Sequence, residues 1–105
     1  LLKNKSVELS PVLETIRIEP KAYFGTELQK NMPVNSVTFE VQGEGQDKLA
    51  LQTSQDGKTW KNVPLKAEQQ NMQASLKGDN VKFIRIQNTG NSAATVRLKA
   101  FRINF

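Results

Sequence analysis

The sequence contains neither cysteine nor histidine. Histidine is the side chain that most often serves as a general base at neutral pH and as a metal ligand, so its absence removes both roles. Without histidine and cysteine no nucleophilic triad can form, and no Gly-x-Ser-x-Gly motif is present to hold a nucleophilic serine. Small domains exported by animal cells usually carry disulfides, so the composition predicts a cytosolic protein or a domain exported by a bacterium.

The sequence also lacks long apolar runs. No run approaches the about 18 residues of a membrane span, and no segment has the pattern of a signal peptide, so no membrane partner is expected. With 105 residues, of which 37% are hydrophobic and 24% charged, the chain has the size and composition of one globular domain. Because it begins with Leu1, we expect residues 1–105 to be a single domain of a larger protein, with a connector within residues 1–10.

The acidic residues are scattered rather than clustered. Glycoside hydrolysis needs two carboxylates that face one cleft, whereas the glutamates fall on connectors and outer faces. The aspartates Asp47, Asp56 and Asp79 fall in three separate turns, where their side chains bond to nearby backbone N–H groups. No catalytic residue, no metal ligand and no cofactor is therefore predicted. A calcium ion held by loop carbonyls would leave no mark in the sequence, so that alternative stays open.

The chain carries a net charge of +5, from 15 lysines and arginines against 10 acidic residues. This balance allows an anionic partner such as nucleic acid or an acidic polysaccharide. Arg17, Arg85, Arg97 and Lys99 alternate with apolar residues, so they would form a basic stripe if their strands were neighbours. The alternative, a solvated face that protects the sheet, is favoured because no block of like charge occurs. Nucleic acid is disfavoured because no RNA-binding signature is present.

Apolar residues recur with a period of two, which predicts half-buried β-strands rather than helices. Short strands separated by Gly, Asn, Asp and Pro turns are typical of an antiparallel β-sandwich of the jelly-roll kind. The apolar sets are Ile16 and Ile18; Val37, Phe39 and Val41; Leu49 and Leu51; Met72, Ala74 and Leu76; Ile84 and Ile86; Val96, Leu98 and Ala100. The last strand then changes phase to Phe101, Ile103 and Phe105, which predicts a β-bulge near Ala100 and Phe101 or a strand buried on both faces.

Two stretches carry aromatic residues near turns. Asp56-Gly57 is a strong hairpin signal, because glycine adopts positive φ without steric cost. Trp60 follows this turn, and we predict that its ring covers the end of the core rather than binding a ligand. Tyr23 and Phe24 fall in the longest early connector and are the best candidates for exposed aromatic rings. The alternative is that Phe24 fills the core and Tyr23 covers the surface.

The segments "LALQTSQDGKTWKNV", "VKFIRIQNTG" and "VRLKAFRINF" resemble the second half of a discoidin-type, galactose-binding-like domain. This group, also called coagulation-factor type C, includes carbohydrate-binding module family 32. In it a strand leads into a Ser-x-Asp-Gly-x-x-Trp hairpin, and an aromatic-Ile-Arg strand follows, here Phe83-Ile84-Arg85. The resemblance covers residues 37–105. The Asp-Gly, Thr and Trp segment with which the family usually opens, and which often builds a calcium site, is not found in residues 1–36.

The resemblance implies a noncatalytic β-sandwich, similar to the reduced C-terminal modules of bacterial β-N-acetylglucosaminidases and hyaluronidases of glycoside hydrolase family 84. Such a domain would be secreted, periplasmic or on the cell surface. Its partners would be the catalytic domain of the same polypeptide and a carbohydrate bound by loops, for which Tyr23 and Phe24 are the candidate ligand-binding residues. The alternative is a basic interaction module that binds an anionic polymer such as a glycosaminoglycan or nucleic acid.

Overall fold

The computed structural model describes residues 2–3, 7–10 and 15–105, and these residues form nine β-strands and one short 3-10 helix at Gln46–Lys48. All strand pairs are antiparallel. The strands are β1 (Leu2–Lys3), β2 (Val7–Ser10), β3 (Thr15–Ile18), β4 (Tyr23–Glu44), β5 (Leu49–Ser54), β6 (Lys61–Val63), β7 (Leu65–Glu68), β8 (Asn71–Asn88) and β9 (Ala94–Asn104).

Two long strands connect the two layers of the fold. Residues 23–27 of β4 pair with residues 83–87 of β8, and β1, β5 and β6 complete this layer, here called the front sheet. Residues 36–40 of β4 pair with residues 71–75 of β8, and this layer, the back sheet, also contains β2, β3, β7 and β9. The expected antiparallel β-sandwich is therefore confirmed, with β4 and β8 passing from one layer to the other.

The start of β4 corrects one expectation from the sequence. The turn signals place Tyr23 and Phe24 in a connector, whereas they lie in a strand that continues to Glu44. The pattern is hidden because the strand changes phase: buried positions are even at Phe24 and Val34 and odd from Val37 onwards. The register shift between Val34 and Ser36 accompanies this change, and a second shift lies between Glu27 and Met32. An interrupted period is a poor strand signal, since a one-residue slip reverses the two faces.

The predicted irregularity in β9 is confirmed as a β-bulge. Ala100 has a φ of 56°, and the register between β4 and β9 shifts between Thr38 and Glu40. After the bulge the odd-numbered Phe101 and Ile103 pack against the core. The Phe101 ring stacks on Phe39 with ring centroids 6.0 Å apart. The bulge therefore lets the end of β9 continue the apolar core after its alternation has slipped by one residue.

One core lies between the two sheets. The front sheet contributes Leu51, Ile84 and Ile86, and the back sheet contributes Val37 and Val96, all at most 1% exposed. Full burial of one such side chain stabilises the fold by about 1.5–3 kcal/mol.

Within the described residues no helix is long and apolar enough to cross a membrane.

A buried asparagine fixes one end of the sandwich. Asn88, the last residue of β8, is fully buried. Its Nδ2 donates hydrogen bonds of 2.9 Å to the carbonyl oxygens of Ile18 and Ser92, and its Oδ1 accepts a 2.9 Å bond from the Gly90 N–H. These bonds join the end of β8 to β3 and to the turn before β9, so both sheets are held together at this end.

The sequence predicts a connector within residues 1–10, and the structure describes part of that segment. The backbone of β1 pairs with β4, and β2 pairs with β3, so residues 2–3 and 7–10 are added to the two sheets. Residues 1 and 4–6 lie outside the described residues. The assignment of residues 1–105 to a single domain of a larger protein stays a prediction.

Gly25 allows β4 to approach β8 closely, and substitution of Gly25 tests whether the fold depends on this close approach. A Cβ atom at Gly25 would lie 2.0 Å from the Ile84 carbonyl oxygen and 2.6 Å from the Arg85 Cα, both of which are backbone atoms that cannot move aside cheaply. We expect Gly25→Ala to lower the free energy of unfolding by about 2–3 kcal/mol, measured by urea denaturation.

Gly78→Ala is the matched control for this prediction. Gly78 has a φ of 82°, but no atom lies within 4 Å of the position that a Cβ would take there. Only backbone strain therefore opposes the substitution, at a cost of about 1 kcal/mol. If Gly25→Ala were no more destabilising than Gly78→Ala, close packing of β4 on β8 would not be the constraint at this position.

Candidate functional site

The hairpin between β5 and β6 is built by side-chain bonds to its own backbone. The Ser54 Oγ accepts bonds from the N–H groups of Asp56 (3.2 Å) and Gly57 (2.8 Å). The Asp56 Oδ1 accepts bonds from the N–H groups of Lys58 (2.8 Å) and Thr59 (2.9 Å). Gly57 takes a φ of 78° at the tip. The predicted hairpin is confirmed, and its internal bonds give Trp60 a fixed position immediately before β6.

The backbone bonds also affect the acidity of the hairpin carboxylate. The pKa of Asp56 is lowered from its ordinary value, chiefly by the hydrogen bond from the Thr59 N–H, then by those from the Lys58 N–H and the Ser54 side chain. These donors favour the ionised form. The structure therefore uses the Asp56 carboxylate to hold the loop that carries Trp60.

Trp60 packs on the outer face of the front sheet, not on the core. Its ring meets Phe83 edge to face, with centroids 6.2 Å apart, and the Arg85 guanidinium lies 3.9 Å from its centroid. Trp60 is half-buried and is absent from the hydrophobic core. The prediction that Trp60 covers the end of the core is therefore wrong. The reason is that the Trp60 ring packs against Arg85 and Phe83 on the outer face of β8.

Arg85 lies between two aromatic rings. The guanidinium is 4.4 Å from the centroid of Tyr23 in β4 and 3.9 Å from that of Trp60 beside β6. Contacts of this kind, with the cation over the ring face, stabilise by about 0.5–1 kcal/mol each when exposed and more when desolvated. We call Tyr23, Arg85 and Trp60 the arginine stack.

A row of hydrogen-bonded amide side chains holds Arg85 in the arginine stack. The Gln52 Oε1 accepts a 2.6 Å bond from Arg85 Nε, and the Gln52 Nε2 donates to Asn62 Oδ1 (2.8 Å) and to Gln87 Oε1 (3.1 Å). Gln87 in turn donates to the Lys21 carbonyl oxygen (2.9 Å). Gln52 points outwards but is only 9% exposed, since these side chains cover it. The outer face of the front sheet thus carries a connected network with a fixed geometry.

Arg85 is the charged group at the centre of the arginine stack. Burial lowers the pKa of Arg85 from its ordinary value, and Tyr23 acts in the opposite direction. An arginine side chain remains protonated in proteins even so. Of the five guanidinium N–H donors, Nε–H is used by Gln52, and the other four lie on the two Nη atoms. The stack therefore presents a fixed positive group between two half-buried rings.

The structure separates the two predicted site residues. Tyr23 is half-buried and belongs to the arginine stack, whereas Phe24, the next residue in β4, points into the core and is 5% exposed. The roles of Tyr23 and Phe24 in ligand binding stay predictions. Their positions favour Tyr23 as the residue that can touch a ligand, because the Phe24 ring has almost no accessible surface.

The basic stripe expected from the alternation is formed in part. Arg17 in β3 lies opposite Thr95 of β9, and β9 carries Arg97 and Lys99, so these three residues lie on neighbouring strands of the back sheet. Arg85 lies in the front sheet and does not extend this stripe. Arg17 also forms an ion pair of 2.8 Å with Glu19. The stripe is therefore shorter and less positive than the sequence predicted.

Chemically, the groups on this face are suited to binding a ligand. Two aromatic rings can cover apolar surface, and amides and a guanidinium can donate and accept hydrogen bonds around them. Within residues 15–105 and the short segments described before them, no three acidic side chains cluster as a metal site would require. Asp56 is bonded to its own loop and Asp79 pairs with Lys61 at 3.1 Å, so neither fits a calcium site built from side chains.

The fold is that of a galactose-binding-like β-sandwich. The family model for carbohydrate binding module family 32 matches residues 1–40. This match lies almost entirely outside residues 37–105, on which the sequence resemblance rests. The two segments together span the chain, so the chain resembles a discoidin-type module of family 32. The comparison with curated proteins found no significant match.

Solved structures show the same fold at low sequence identity. A module named CpGH89CBM32-4, produced by Clostridium perfringens and solved in complex with GlcNAc-α-1,4-galactose, has a TM-score of 0.62 at 11% identity, covering 95% of this chain and 87% of that one. A fucose-binding module of Streptococcus pneumoniae has a TM-score of 0.56 at 10% identity, covering 84% and 73%. The lectin domain of lectinolysin, complexed with Lewis b antigen, has a TM-score of 0.56 at 12% identity, covering 81% and 70%.

Removing the centre of the arginine stack should destabilise the domain. Arg85→Ala deletes two contacts with aromatic rings and leaves the Gln52 Oε1 without its donor, so we expect the free energy of unfolding to fall by about 1–3 kcal/mol. Circular dichroism during urea denaturation measures this change. The control is Arg97→Ala, an exposed arginine of β9, for which we expect a change within about 0.5 kcal/mol. Equal effects of the two substitutions would contradict a structural role for the stack.

The lowered pKa of Asp56 predicts a pH dependence of the hairpin. Because its folded pKa lies below the unfolded value, the stabilisation is complete above the unfolded pKa and is lost as the pH falls through the folded pKa. We expect the amide signals of Lys58 and Thr59 to shift together with the titration of Asp56 at acidic pH in an NMR titration. Titration of Asp56 at or above the pH at which an aspartate titrates in an unfolded peptide would contradict this account.

Proposed function

We propose that this chain is a noncatalytic carbohydrate-binding domain in which the arginine stack contacts the sugar. The observation that carries the proposal is the position of the Arg85 guanidinium, 4.4 Å from the Tyr23 ring and 3.9 Å from the Trp60 ring, on the outer face of the front sheet. Both rings are half-buried, so each keeps accessible surface while its orientation is fixed.

The chemistry of this face matches the surface of a sugar. A pyranose ring has an apolar C–H face that can pack on an aromatic ring, and hydroxyl groups at its edge that both donate and accept hydrogen bonds. The amides of Gln87 and Asn62 and the Nη groups of Arg85 lie around the rings. Because the network is already formed, little side-chain entropy would be lost on binding. Similar modules solved with Lewis b and with GlcNAc-α-1,4-galactose add support by analogy.

In its wider context, the domain would be an accessory module of a bacterial glycoside hydrolase. The resemblance to reduced modules of family 84 β-N-acetylglucosaminidases and hyaluronidases supports this setting. The protein would then be secreted, periplasmic or at the cell surface, and the module would also dock against the catalytic domain of its own polypeptide. The lack of histidine and cysteine in the sequence supports a role without catalysis.

A second candidate function is binding of an anionic polymer such as a glycosaminoglycan. The observation that favours it is the run of outward cations along β9, namely Arg97, Lys99 and Arg102. Binding of this kind releases counterions and becomes weaker as salt is added. Binding of a sugar on aromatic rings depends much less on salt, so the ionic-strength dependence separates the two functions.

Titration of the domain with galactosides, N-acetylglucosamine and hyaluronan oligosaccharides tests the first function. Trp60 is the only tryptophan, so its fluorescence reports on the arginine stack directly. We expect a neutral sugar to change this fluorescence, with an affinity that differs less than about twofold between about 50 and 300 mM salt. Tyr23→Ala should weaken binding at least about tenfold, because it removes one of the two rings.

Thr95→Ala is the control, since Thr95 lies on the outer face of the back sheet. It should leave the affinity unchanged. No fluorescence response to any neutral sugar, together with steep loss of hyaluronan binding at high salt, would reject the carbohydrate function of the stack in favour of the anionic polymer.

A further inference from the structure

The outer face of the back sheet carries a polar groove distinct from the arginine stack. Its volume is about 330 Å³, at the lower end of the range of about 300–1,000 Å³ that is typical of small-molecule sites. We call it the back groove, and the side chains that line it and carry charged or amide groups are Glu40, Lys66, Glu68, Asn71, Gln73 and Arg102.

Strand register places these side chains in two rows across four strands. In the first row Lys66 pairs with Gln73, Gln73 with Thr38, and Thr38 with Arg102. Strands are spaced about 4.8 Å apart, so this row is about 14 Å long. It consists mainly of donors and has a cation at each end. A groove of this length can hold a short oligosaccharide that runs across the strands.

The second row supplies two carboxylates, and Lys99 of β9, which does not line the groove, pairs with one of them, Glu40. Glu68 pairs with Asn71, and Asn71 pairs with Glu40, two positions along the strands from the first row. Two residues of a strand span about 6.6 Å, so the carboxylate row and the donor row lie on the two sides of a narrow strip. A hydroxyl group both donates and accepts, so a polyhydroxylated ligand in the strip can bond to both rows.

The β-bulge in β9 shapes one wall of the back groove. Ala100, at a φ of 56°, lies between Lys99, which pairs with Glu40, and Arg102, which pairs with Thr38. A non-glycine residue in this region costs about 1–2 kcal/mol, and its methyl side chain takes little space. Bulges of this kind often redirect side chains next to binding sites. Here the bulge turns Arg102 to the groove while Phe101 packs inwards on Phe39.

The polar side chains of the back groove have no partners within the described part of the protein. Among those residues, none of the six forms a side-chain hydrogen bond or an ion pair, although both carboxylates and cations are present there. The amides of the front face differ, since Gln52 alone makes three such bonds. The groups of the back groove can therefore bind a ligand without breaking internal bonds.

We infer that the back groove is a second saccharide subsite and that it takes a neutral oligosaccharide. Two carboxylates and two cations line it, so its side-chain charge is balanced. A polyanion would meet Glu40 and Glu68, and a polycation would meet Lys66 and Arg102, whereas a neutral chain of hydroxyl groups suits both rows. This inference rests on different residues from the proposed function, and together the two sites would make the module bivalent.

NMR titration of the isotope-labelled domain with lactose and with chitotriose tests the inference. The experiment uses the Tyr23→Ala variant, in which the arginine stack is impaired. Each neutral sugar is raised to about 10 mM, a concentration that detects binding with a Kd of about 1 mM. We expect shifts of the Asn71 and Gln73 amide signals while Trp60 fluorescence stays constant. Gln73→Ala in the same background should weaken binding at least about threefold, because one hydrogen bond is lost.

Gln42→Ala is the matched control, since Gln42 is an exposed residue of β4 on the same face that does not line the groove. It should leave the affinity unchanged. No shift at Asn71 and Gln73 with either sugar, or equal effects of Gln73→Ala and Gln42→Ala, would overturn the second subsite. Shifts caused by a hyaluronan oligosaccharide but by neither neutral sugar would overturn its assignment to neutral ligands. A response of Trp60 in the unmodified domain without shifts in the groove would overturn the subsite and leave the proposed function standing alone.

Discussion

The antiparallel pairing of β4 with β8 is the contact on which the rest of the structure depends. The two strands pair in the front sheet and again in the back sheet, and the register shifts between the two stretches. Every other strand except β2, β3 and β6 pairs directly with one of these two. Gly25 permits the close approach in the front sheet, because any side chain there would meet the backbone of Ile84 and Arg85. Errors in this one pairing would displace both layers of the core.

The same two strands also carry the two candidate binding surfaces. β4 places Tyr23 on the outer face of the front sheet and Glu40 on that of the back sheet, and β8 places Arg85 and Gln73 likewise. The faces point away from each other because the sheets pack through their inner sides. A ligand at one face would therefore neither block nor contact a ligand at the other, which suits a module that holds two parts of an extended glycan.

How much of this structure the sequence predicts depends on how local the signal is. The hairpin at Asp56-Gly57 and the phase change at Ala100 are encoded by a few adjacent residues, and both predictions are confirmed. The start of β4 escapes prediction because its alternation is interrupted by two register shifts. The alternation places Arg85 on an outer face, but its contacts with Tyr23 and Trp60 join residues far apart in the chain, which no local pattern reports. The alternation shows which side chains of a strand share a face, whereas only the order of strands in the sheet shows which side chains of other strands lie beside them.

The side chains of the arginine stack are held by internal contacts, whereas those of the back groove are not. This difference affects which ligands each surface can recognise. In the arginine stack, rings and amides hold Arg85 in one orientation, so a ligand gains contacts with little loss of entropy and must match a fixed shape. In the back groove, exposed side chains such as Lys66 and Glu68 have no internal bonds among the described residues and must lose rotamer freedom on binding. The stack should therefore discriminate between sugars of different shape. The groove should accept several neutral chains more weakly, since its rows can adjust to where the hydroxyl groups lie.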